Sequence, residues 1–314
     1  MRNISALTHG AIMTGVFIVL LFIMLFVPLI NLIVLLFMPL PFMIHMMRYG
    51  WKSTLIVGVV ASIVTLILLA PAVIITIMAL TVGGVMGYFY AHKKGRFSPI
   101  IGGALTYLAN YLLILLLSLV LFDINMVQVL QQYVTDMVNT TEEASHFLQL
   151  PLNETQLEAY RESIGMVADM FPAIMILSSL LLASLNHLIS RPILKRLGHA
   201  IEGLPPFREW SFPKSLLFYY LLSLLVFIFN MAQQGSAIYM IVVNIHPILE
   251  ILLYIQGLAV IAYYSHHKKW GKTLPIIAVV LTVFLASFAT LVIRMIGIFE
   301  LGLGIRKRLQ SKEK

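Results

Sequence analysis

Polar residues that could do chemistry occur inside one long hydrophobic stretch, residues 238–264, which contains Asn244, His246 and Glu250. At about 1.5 Å per residue of helix, they lie roughly 9 to 18 Å from the start of the stretch, within the depth of a bilayer core. His246 and Glu250 share a helix face, whereas Asn244 does not share a face with His246. Pro247 predicts a helix break beside this pair, as in transporter sites with an unwound turn. Because ionisable groups are costly in lipid, the pair is a candidate for solute or proton binding.

Further polar residues lie at the outer end of the preceding hydrophobic stretch and in the middle of an earlier one. Each group also has a structural interpretation. An amide inside a stretch can bond to a neighbouring helix, Asn244 or His246 can satisfy the carbonyl freed by Pro247, and Glu250 can pair with another helix. The full set of ligand-binding candidates is Asn110 in the earlier stretch, Asn230, Gln233 and Gln234 at the outer end, and Asn244, His246 and Glu250.

Motifs for enzymatic chemistry are missing from the sequence. The spacing His246-x-x-x-Glu250 differs from the His-Glu-x-x-His of zinc hydrolases, and no second histidine lies one turn away. The pair His266-His267 lies in a basic loop, where a solvated surface is the simpler interpretation. The chain lacks a Gly-x-x-x-x-Gly-Lys-Ser/Thr loop, so any ATP-driven activity needs a separate ATPase. We therefore predict no enzyme activity, no catalytic residue, no metal and no cofactor.

The composition is typical of a polytopic membrane protein. Apolar residues make up 60% of the chain, charged residues 11%, and the mean hydropathy is +0.96, whereas a soluble domain is about half apolar and a quarter charged. The formal net charge of +8 does not indicate nucleic acid, because the basic residues lie in short loops between hydrophobic stretches. The expected partner of this surface is the lipid bilayer, and not nucleic acid.

A hydrophobic hairpin organises the first half, since no Asp, Glu, Lys or Arg occurs between Lys52 and Lys93. Its roughly forty residues would form about 60 Å of helix, twice the ~30 Å of a bilayer core, so the segment must cross twice. Pro71 lies in the middle, where a break turns the chain. Small residues four apart let helix backbones approach closely in lipid. The predicted helix-docking positions are Gly83 and Gly87 in this hairpin and Ala11 and Gly15 in the first hydrophobic stretch.

The hydropathy pattern predicts an all-α fold with about nine transmembrane helices. The inner loops hold fourteen Lys and Arg residues as far as Lys272, and the outer loops hold one, which places the N-terminus in the cytoplasm. A basic tail follows the ninth span, so either this rule fails once or residues 295–305 turn back. Arg294 and Glu300 lie near that end. Their position favours a base that snorkels to the membrane surface and an acid at the interface over a proton relay. The spans are predicted at about residues 6–27, 31–47, 53–70, 72–90, 99–122, 170–188, 215–230, 238–264 and 274–293.

Charge and turn residues divide the chain into modules. The outer loop at residues 123–169 holds eight of the thirteen acidic residues, and apolar residues at helical spacing predict two amphipathic helices in it, near 126–137 and 157–167. A basic segment with Pro205-Pro206 predicts a module boundary. The predicted modules are residues 1–190 with the outer loop, a connector at 191–214, a second membrane module at 215–305, and a tail at 306–314.

Several local features recur in known families. Pro39-Leu40-Pro41 lies in a bent second span, Arg48-Tyr49-Gly50 follows it, and Gly83-Gly84-Val85-Met86-Gly87 precedes His92-Lys93-Lys94. In these features the first half resembles the substrate-binding S component of energy-coupling-factor transporters. The whole chain resembles the YybS-like family of bacterial membrane proteins, which adds features like those at residues 256–260 and 297–308.

The S-component resemblance implies a six-helix module that binds a vitamin-like micronutrient and docks to a partner membrane subunit. Docking in that family uses Ala-x-x-x-Ala on the first span, where this chain has Ala11-x-x-x-Gly15. The three-helix second half departs from the family pattern, and its extra helices could cover the docking face. No ligand-binding residue carries over by motif.

These observations predict a substrate-binding or permease-type subunit for uptake of a small solute, such as a vitamin-like micronutrient, in the bacterial cell membrane. A partner membrane subunit and an ATPase would supply energy. The alternative function is a non-transporting scaffold or regulator of an envelope process. A transporter should enclose a polar pocket between spans four to eight, whereas a scaffold should pack solid. A third interpretation, an intramembrane enzyme, would need a second acid or histidine beside Glu250.

Overall fold

The computed structural model describes residues 2–147, 168–233 and 235–306, and all regular structure in these ranges is helical. This confirms the predicted all-α fold. Helices are favoured because a lipid environment requires every backbone N–H and C=O to be satisfied within its own segment. The helices of these ranges are α1 Arg2–Phe26, α2 Asn31–Leu35, α3 Leu40–Leu68, α4 Val73–Ala91, α5 Ser98–Phe122, α6 Met126–Phe147, α7 Phe171–Arg196, α8 Ser215–Ile228, α9 Ala237–His267, α10 Thr273–Phe284 and α11 Ala286–Leu303.

Six helical stretches of the described ranges are long and apolar enough to cross a bilayer, as a polytopic membrane protein requires. One of them, Pro28–Leu68, has 41 residues and is interrupted at Gly50, where φ is 79°. It therefore holds both the second and the third predicted spans. The predicted seventh and ninth spans correspond to α8, with 14 residues, and α10, with 12 residues. Both helices are shorter than the ~20 residues that cross a bilayer core.

The chain divides into two compact units of helices. The boundary lies before Pro205, inside the predicted connector at 191–214. Of the outer loop, predicted as part of the first module, residues 127–147 and 168–169 group with the second unit, and the predicted helix near 157–167 lies outside the described residues. The loop after α7 groups with the first unit, because its Ile201 is buried in that unit's core together with Leu194 of α7. Unit 1 consists of Met1–Met126 and Ile174–Leu204, and unit 2 consists of Val127–Ala173 and Pro205–Lys314.

Helices α3 and α4 of unit 1 pack closely through two glycines. A Cβ at Gly83 would clash with the carbonyl oxygen of Pro39, and a Cβ at Gly87 would lie 2.9 Å from the carbonyl oxygen of Met43. Met43 and the α4 residue Met86 are fully buried beside this contact. The small residues predicted for helix docking in the hairpin are therefore used inside unit 1.

Helices α9 and α11 of unit 2 also cross at two glycines. A Cβ at Gly257 would clash with the carbonyl oxygen of Ile293, and a Cβ at Gly297 would clash with the carbonyl oxygen of Leu253. Close approach of this kind is available only where a side chain is missing. The crossing places the middle of α11 directly against the middle of α9.

The predicted ninth span, residues 274–293, is interrupted in the structure. Leu285, between α10 and α11, has φ −121° and ψ 45°, outside the helical range. No proline or glycine lies at this break, so the sequence carries no local signal for it. Beyond α11, the side chain of Arg306 donates hydrogen bonds to the carbonyl oxygens of Arg208 and Trp210 in the connector. The end of α11 therefore lies beside the connector, which favours a chain that turns back, with the turn at Leu285.

Candidate functional site

Three helices of unit 2 bring together four polar side chains, termed here the His246 cluster: Ser223 on α8, His246 and Glu250 on α9, and Arg294 on α11. His246 Nε2 lies 3.5 Å from Glu250 Oε1, and Arg294 Nη1 forms an ion pair with the same oxygen. On the other side of the imidazole, His246 Nδ1 lies 2.9 Å from Ser223 Oγ. A continuous series of polar contacts therefore connects the three helices.

Helix geometry positions this cluster. The four-residue spacing of His246 and Glu250 puts both side chains on one face of α9. The helix continues through Pro247, so the predicted break, and with it the unwound turn, is wrong. A proline removes one backbone hydrogen bond, while residues on the next two turns are buried against α8 and α11 and keep the helix intact. The close crossing of α9 and α11 then brings Arg294 to Glu250.

Aromatic rings shield the imidazole from one side. Tyr220 stacks on His246 with ring centroids 5.2 Å apart and an interplanar angle of 17°, and Phe227 presents its edge at 5.1 Å. The side chains of His246 and Arg294 are 15% and 17% exposed, and that of Glu250 is 33% exposed. Since the surroundings are apolar, the attraction between the two charges is weakly screened, and removing one of them would be costly.

The cluster retains a polar atom without a partner. Arg294 Nε is buried and makes no hydrogen bond with any residue that the structure describes. Buried polar groups are nearly always paired in native proteins, because an unpaired group costs about 1–3 kcal/mol. Arg294 Nε is therefore a position where a further acceptor would bind, beside the partly exposed carboxylate of Glu250.

The hydrogen bonds of His246 are compatible with two protonation states. Ser223 Oγ also lies 2.8 Å from the carbonyl oxygen of Tyr220. With a neutral imidazole, the hydroxyl donates to Nδ1, and the Nε2–H points toward Glu250. With a protonated imidazole, the Nδ1–H donates to Ser223, whose hydroxyl turns to the carbonyl. Because the imidazole keeps both contacts in either state, it can take up and release a proton in place.

The order of hydroxyl, imidazole and carboxylate also occurs in serine hydrolases. Ser223, however, is only 4% exposed and lies against the backbone of its own helix. The carboxylate of Glu250 is engaged by Arg294, which takes the place of the second acid or histidine that an enzyme would need. Among the described residues, no three His, Asp or Glu side chains are placed to hold a metal ion. In this arrangement the Ser223 hydroxyl is not exposed as a nucleophile would be.

Asn244 holds a helix end and does not join the cluster. Its Oδ1 accepts a hydrogen bond of 2.9 Å from the backbone N–H of Ala173, and its Nδ2 donates one of 2.8 Å to the carbonyl oxygen of Asp169. The first N–H groups of a helix have no partner within that helix. Asn244 therefore satisfies the start of α7, which is a structural role.

Asn230 and Gln233, the described candidates between α8 and α9, do not contact the His246 cluster. Asn230 ends α8 with φ 47°, a left-handed conformation that asparagine tolerates better than most residues. Gln233 is exposed, and its carbonyl oxygen accepts a hydrogen bond of 3.0 Å from the N–H of Ser236. Gln234 lies outside the described residues. Neither Asn230 nor Gln233 is positioned to bind a ligand at membrane depth.

Asn110 lies in unit 1 and bonds to a neighbouring helix, as the structural interpretation expects. It is buried, and its Nδ2 donates to Thr81 Oγ1 at 2.9 Å. One turn away, the Tyr107 hydroxyl donates to Asn186 Oδ1 at 2.7 Å, and Asn186 Nδ2 donates to the carbonyl oxygen of Leu36 at 2.8 Å. These last three groups, termed the Asn186 network, connect α7 with α5 and with the segment that follows α2.

The docking positions on α1 are open. Ala11 and Gly15 are exposed, and a Cβ at Gly15 would meet nothing within 4 Å. Gly83 and Gly87 differ, because both are buried in the contact of α4 with α3. The first pair is therefore available to a partner helix, and the second pair is not.

Known proteins match this chain over nearly its whole length. The model of the family described as "Predicted membrane protein (DUF2232)" matches residues 15–301. The chain belongs to this family. The "Uncharacterized protein YybS" of Bacillus subtilis (strain 168) is 31% identical over 318 residues, which cover 99% of this chain and 100% of the relative. This confirms the resemblance to YybS-like proteins, and no solved structure gives a significant match.

The His246 cluster of this DUF2232 protein contains one residue, Ser223, that the sequence did not predict. Ser223 was not singled out, although a serine within the apolar 14-residue helix α8 is a usable signal. Arg294 and Glu300 were expected at an interface, but the structure pairs Arg294 with Glu250. It pairs Glu300 Oε1 with Arg306 Nε at 2.8 Å. Both pairings depend on the turn before α11, which the sequence did not reveal.

Proposed function

We propose that this DUF2232 protein is a permease-type or substrate-binding membrane subunit for a small solute, with the His246 cluster as its binding site. The observation that carries the proposal is a partly exposed ion pair, Glu250 with Arg294, inside apolar helices. Charged side chains in transmembrane helices are costly and commonly belong to substrate, ion or proton paths. The solute is a polar molecule, such as a vitamin-like micronutrient, that bonds to Arg294 Nε and to the partly exposed carboxylate of Glu250.

A proton takes part in this binding. With His246 neutral, the formal charges of Glu250 and Arg294 cancel, and with His246 protonated the cluster carries one positive charge. Ser223 follows either state by turning its hydroxyl. Protonation of His246 would therefore change how strongly the cluster holds a charged solute group, so that binding depends on pH. Because solute binding and proton binding would be coupled, a proton could drive uptake of the solute. Uptake by passive binding is also compatible with the cluster.

The proposed setting is the bacterial plasma membrane with the N-terminus in the cytoplasm. A relative of full length comes from Bacillus subtilis, and the basic residues lie in the predicted inner loops. Because the sequence has no phosphate-binding loop, use of ATP would require a separate ATPase with a partner membrane subunit. The exposed pair Ala11 and Gly15 on α1 supports a helix of such a partner docking there.

The variant Glu250→Gln tests this function, because it keeps the shape of the side chain and removes its charge. Wild type and variant are purified from the same cells, and the small molecules that copurify are identified by mass spectrometry. A charge-assisted hydrogen bond is worth about 1.5–3 kcal/mol, so we expect retention of the copurifying solute to fall by about tenfold or more. The variant should still fold.

The matched control is Glu209→Gln, in which an exposed carboxylate of the connector is removed. It should retain the same copurifying molecules as the wild type. If Glu250→Gln also retains them, and its melting temperature depends on pH as in the wild type, the cluster is a structural ion pair. That result would support the rival function, a membrane scaffold or regulator of an envelope process.

A further inference from the structure

Unit 1 contains a second concentration of polar groups, at the C-terminal end of α7. His187, Arg191 and Lys195 are spaced by four residues and therefore lie along one face of the helix. They line a cavity of about 340 Å³, which is within the size range of small-ligand pockets. This His187 pocket is completed by the apolar residues Leu188, Pro192 and Leu204.

Buried polar atoms at this pocket lack partners. His187 is 1% exposed, and its Nδ1 lies 2.8 Å from the Tyr90 hydroxyl. Its Nε2 and the Nε of Arg191 belong to residues that line the pocket, and both are buried without a hydrogen bond in the described part of the chain. Native proteins hold only a few such groups per hundred residues, so two on the lining of one pocket point to a missing ligand.

The charge around the pocket is positive. None of the residues that line it is acidic. A smaller adjoining cavity, which His187 also lines, adds Lys93 and Arg96. The acid in that cavity, Glu202, already lies 3.5 Å from Arg96. A ligand of this region is therefore an anion.

The guanidinium of Arg191 lies against the loop that follows α7, and its Nε is buried. Gly203 lies so close to its guanidinium that a Cβ would clash with Nη2. The loop that carries Gly203 is anchored by Ile201, which is buried in the core of unit 1. A basic residue that only snorkels to a membrane surface needs no such enclosure. The structure thus presents a positioned guanidinium to the pocket.

We propose that the His187 pocket binds a phosphate group, carried by a phospholipid headgroup or by free phosphate. The planar guanidinium of Arg191 matches two phosphate oxygens, and Lys195 adds a positive charge. When Tyr90 donates to Nδ1 of His187, the Nε2–H becomes a third donor. Tyr90 lies in the last turn of α4, so the pocket is at the ends of apolar helices, where lipid phosphates are found.

Thermal melting of the delipidated full-length protein in an uncharged detergent tests this proposal. One probe is inorganic phosphate, compared with chloride at equal ionic strength. The other is dioleoylphosphatidylglycerol, compared with dioleoylglycerol, which has the same acyl chains and no phosphate. We expect a phosphate-bearing probe to raise the melting temperature of the wild type. Arg191→Gln should weaken the apparent affinity for that probe by about tenfold or more.

The matched control is Lys52→Gln, which removes one exposed positive charge elsewhere in unit 1 and should bind as the wild type does. A shift with inorganic phosphate shows that free phosphate is sufficient, and a shift with the phospholipid alone identifies a lipid headgroup. No shift with either probe, or equal weakening by Arg191→Gln and Lys52→Gln, overturns the proposal. If Arg191→Gln does not fold, the variant Lys195→Gln is used in its place, because Lys195 is exposed. An affinity of Lys195→Gln for the probe equal to that of the wild type then overturns the proposal.

Discussion

Two polar networks of this protein differ in what they leave unsatisfied. In the Asn186 network of unit 1, neutral groups bond to one another, and Asn186 is fully buried. In the His246 cluster of unit 2, Glu250 and Arg294 carry charges, Glu250 is one third exposed, and Arg294 Nε has no hydrogen bond among the described residues. A closed neutral network makes helix packing more rigid, whereas an open charged one can accept a ligand. This difference is the reason why the His246 cluster, and not the Asn186 network, is proposed as the binding site.

The largest loss of stability is expected at the crossing of α9 and α11, where Gly257 and Gly297 let the helices bring Glu250 and Arg294 together. In Gly257→Leu, the new side chain would clash with the backbone carbonyl of Ile293, which cannot move unless α11 separates from α9. Separation would also remove Arg294 from Glu250. We expect the free energy of unfolding, measured by titration of detergent micelles with SDS, to fall by about 3 kcal/mol or more.

Gly84→Leu is the control for that variant, since a Cβ at Gly84 meets nothing within 4 Å. It adds the same side chain to an apolar helix without blocking a crossing. Equal unfolding curves for the two variants would show that the His246 cluster does not depend on close contact of α9 with α11.

A smaller effect is expected for Asn186→Leu, which tests the closed network. The change leaves the Tyr107 hydroxyl and the Leu36 carbonyl unpaired, and each unpaired buried group costs about 1–3 kcal/mol. We expect a loss of about 2 kcal/mol or more in the same titration, with solute retention unchanged. The control is Ser184→Ala, because Ser184 is partly exposed and its side-chain hydrogen bond to the carbonyl oxygen of Leu180 stays within its own helix. Loss of the copurifying solute in Asn186→Leu at full stability would make the network part of the binding site.

The smallest effect on stability is expected for Gly15→Leu. A Cβ at this position meets nothing within 4 Å, so the free energy of unfolding should change by less than about 0.5 kcal/mol. If α1 docks to a partner subunit, the bulky side chain should nevertheless abolish copurification of that subunit. Gly87→Leu, at a buried crossing, should instead destabilise unit 1. Unchanged copurification in Gly15→Leu would exclude docking through this face.

Local features of the chain were predicted well because they depend on residue order alone. The uncharged interval from Lys52 to Lys93 does form two helices, and the chain turns between them in the short 3-10 segment Ala70–Ala72, at Pro71. The spacing of His246 and Glu250 correctly placed both on one helix face. Helix period and hydropathy are properties of neighbouring residues, and a sequence displays them directly.

Other expectations failed where packing outweighed a local signal. Pro247 was expected to break α9, yet the helix continues through it, because tertiary contacts hold the turns on either side. The reverse occurs at Leu285, where the helix ends without proline or glycine. Beyond it, α11 is held by the pairing of Glu300 with Arg306 and by contacts with the connector.

By itself, the sequence determined that this is a helical membrane protein, where most of its apolar helices lie, and which ionisable residues are buried in them. Hydropathy, charge distribution and the helical repeat are sufficient for these conclusions. Only the tertiary structure decided that Arg294 and Ser223 meet His246 and Glu250, while Asn110 and Asn244 are satisfied by other helices. Which helices touch depends on glycine crossings between distant residues, and one sequence does not show which glycine faces which helix.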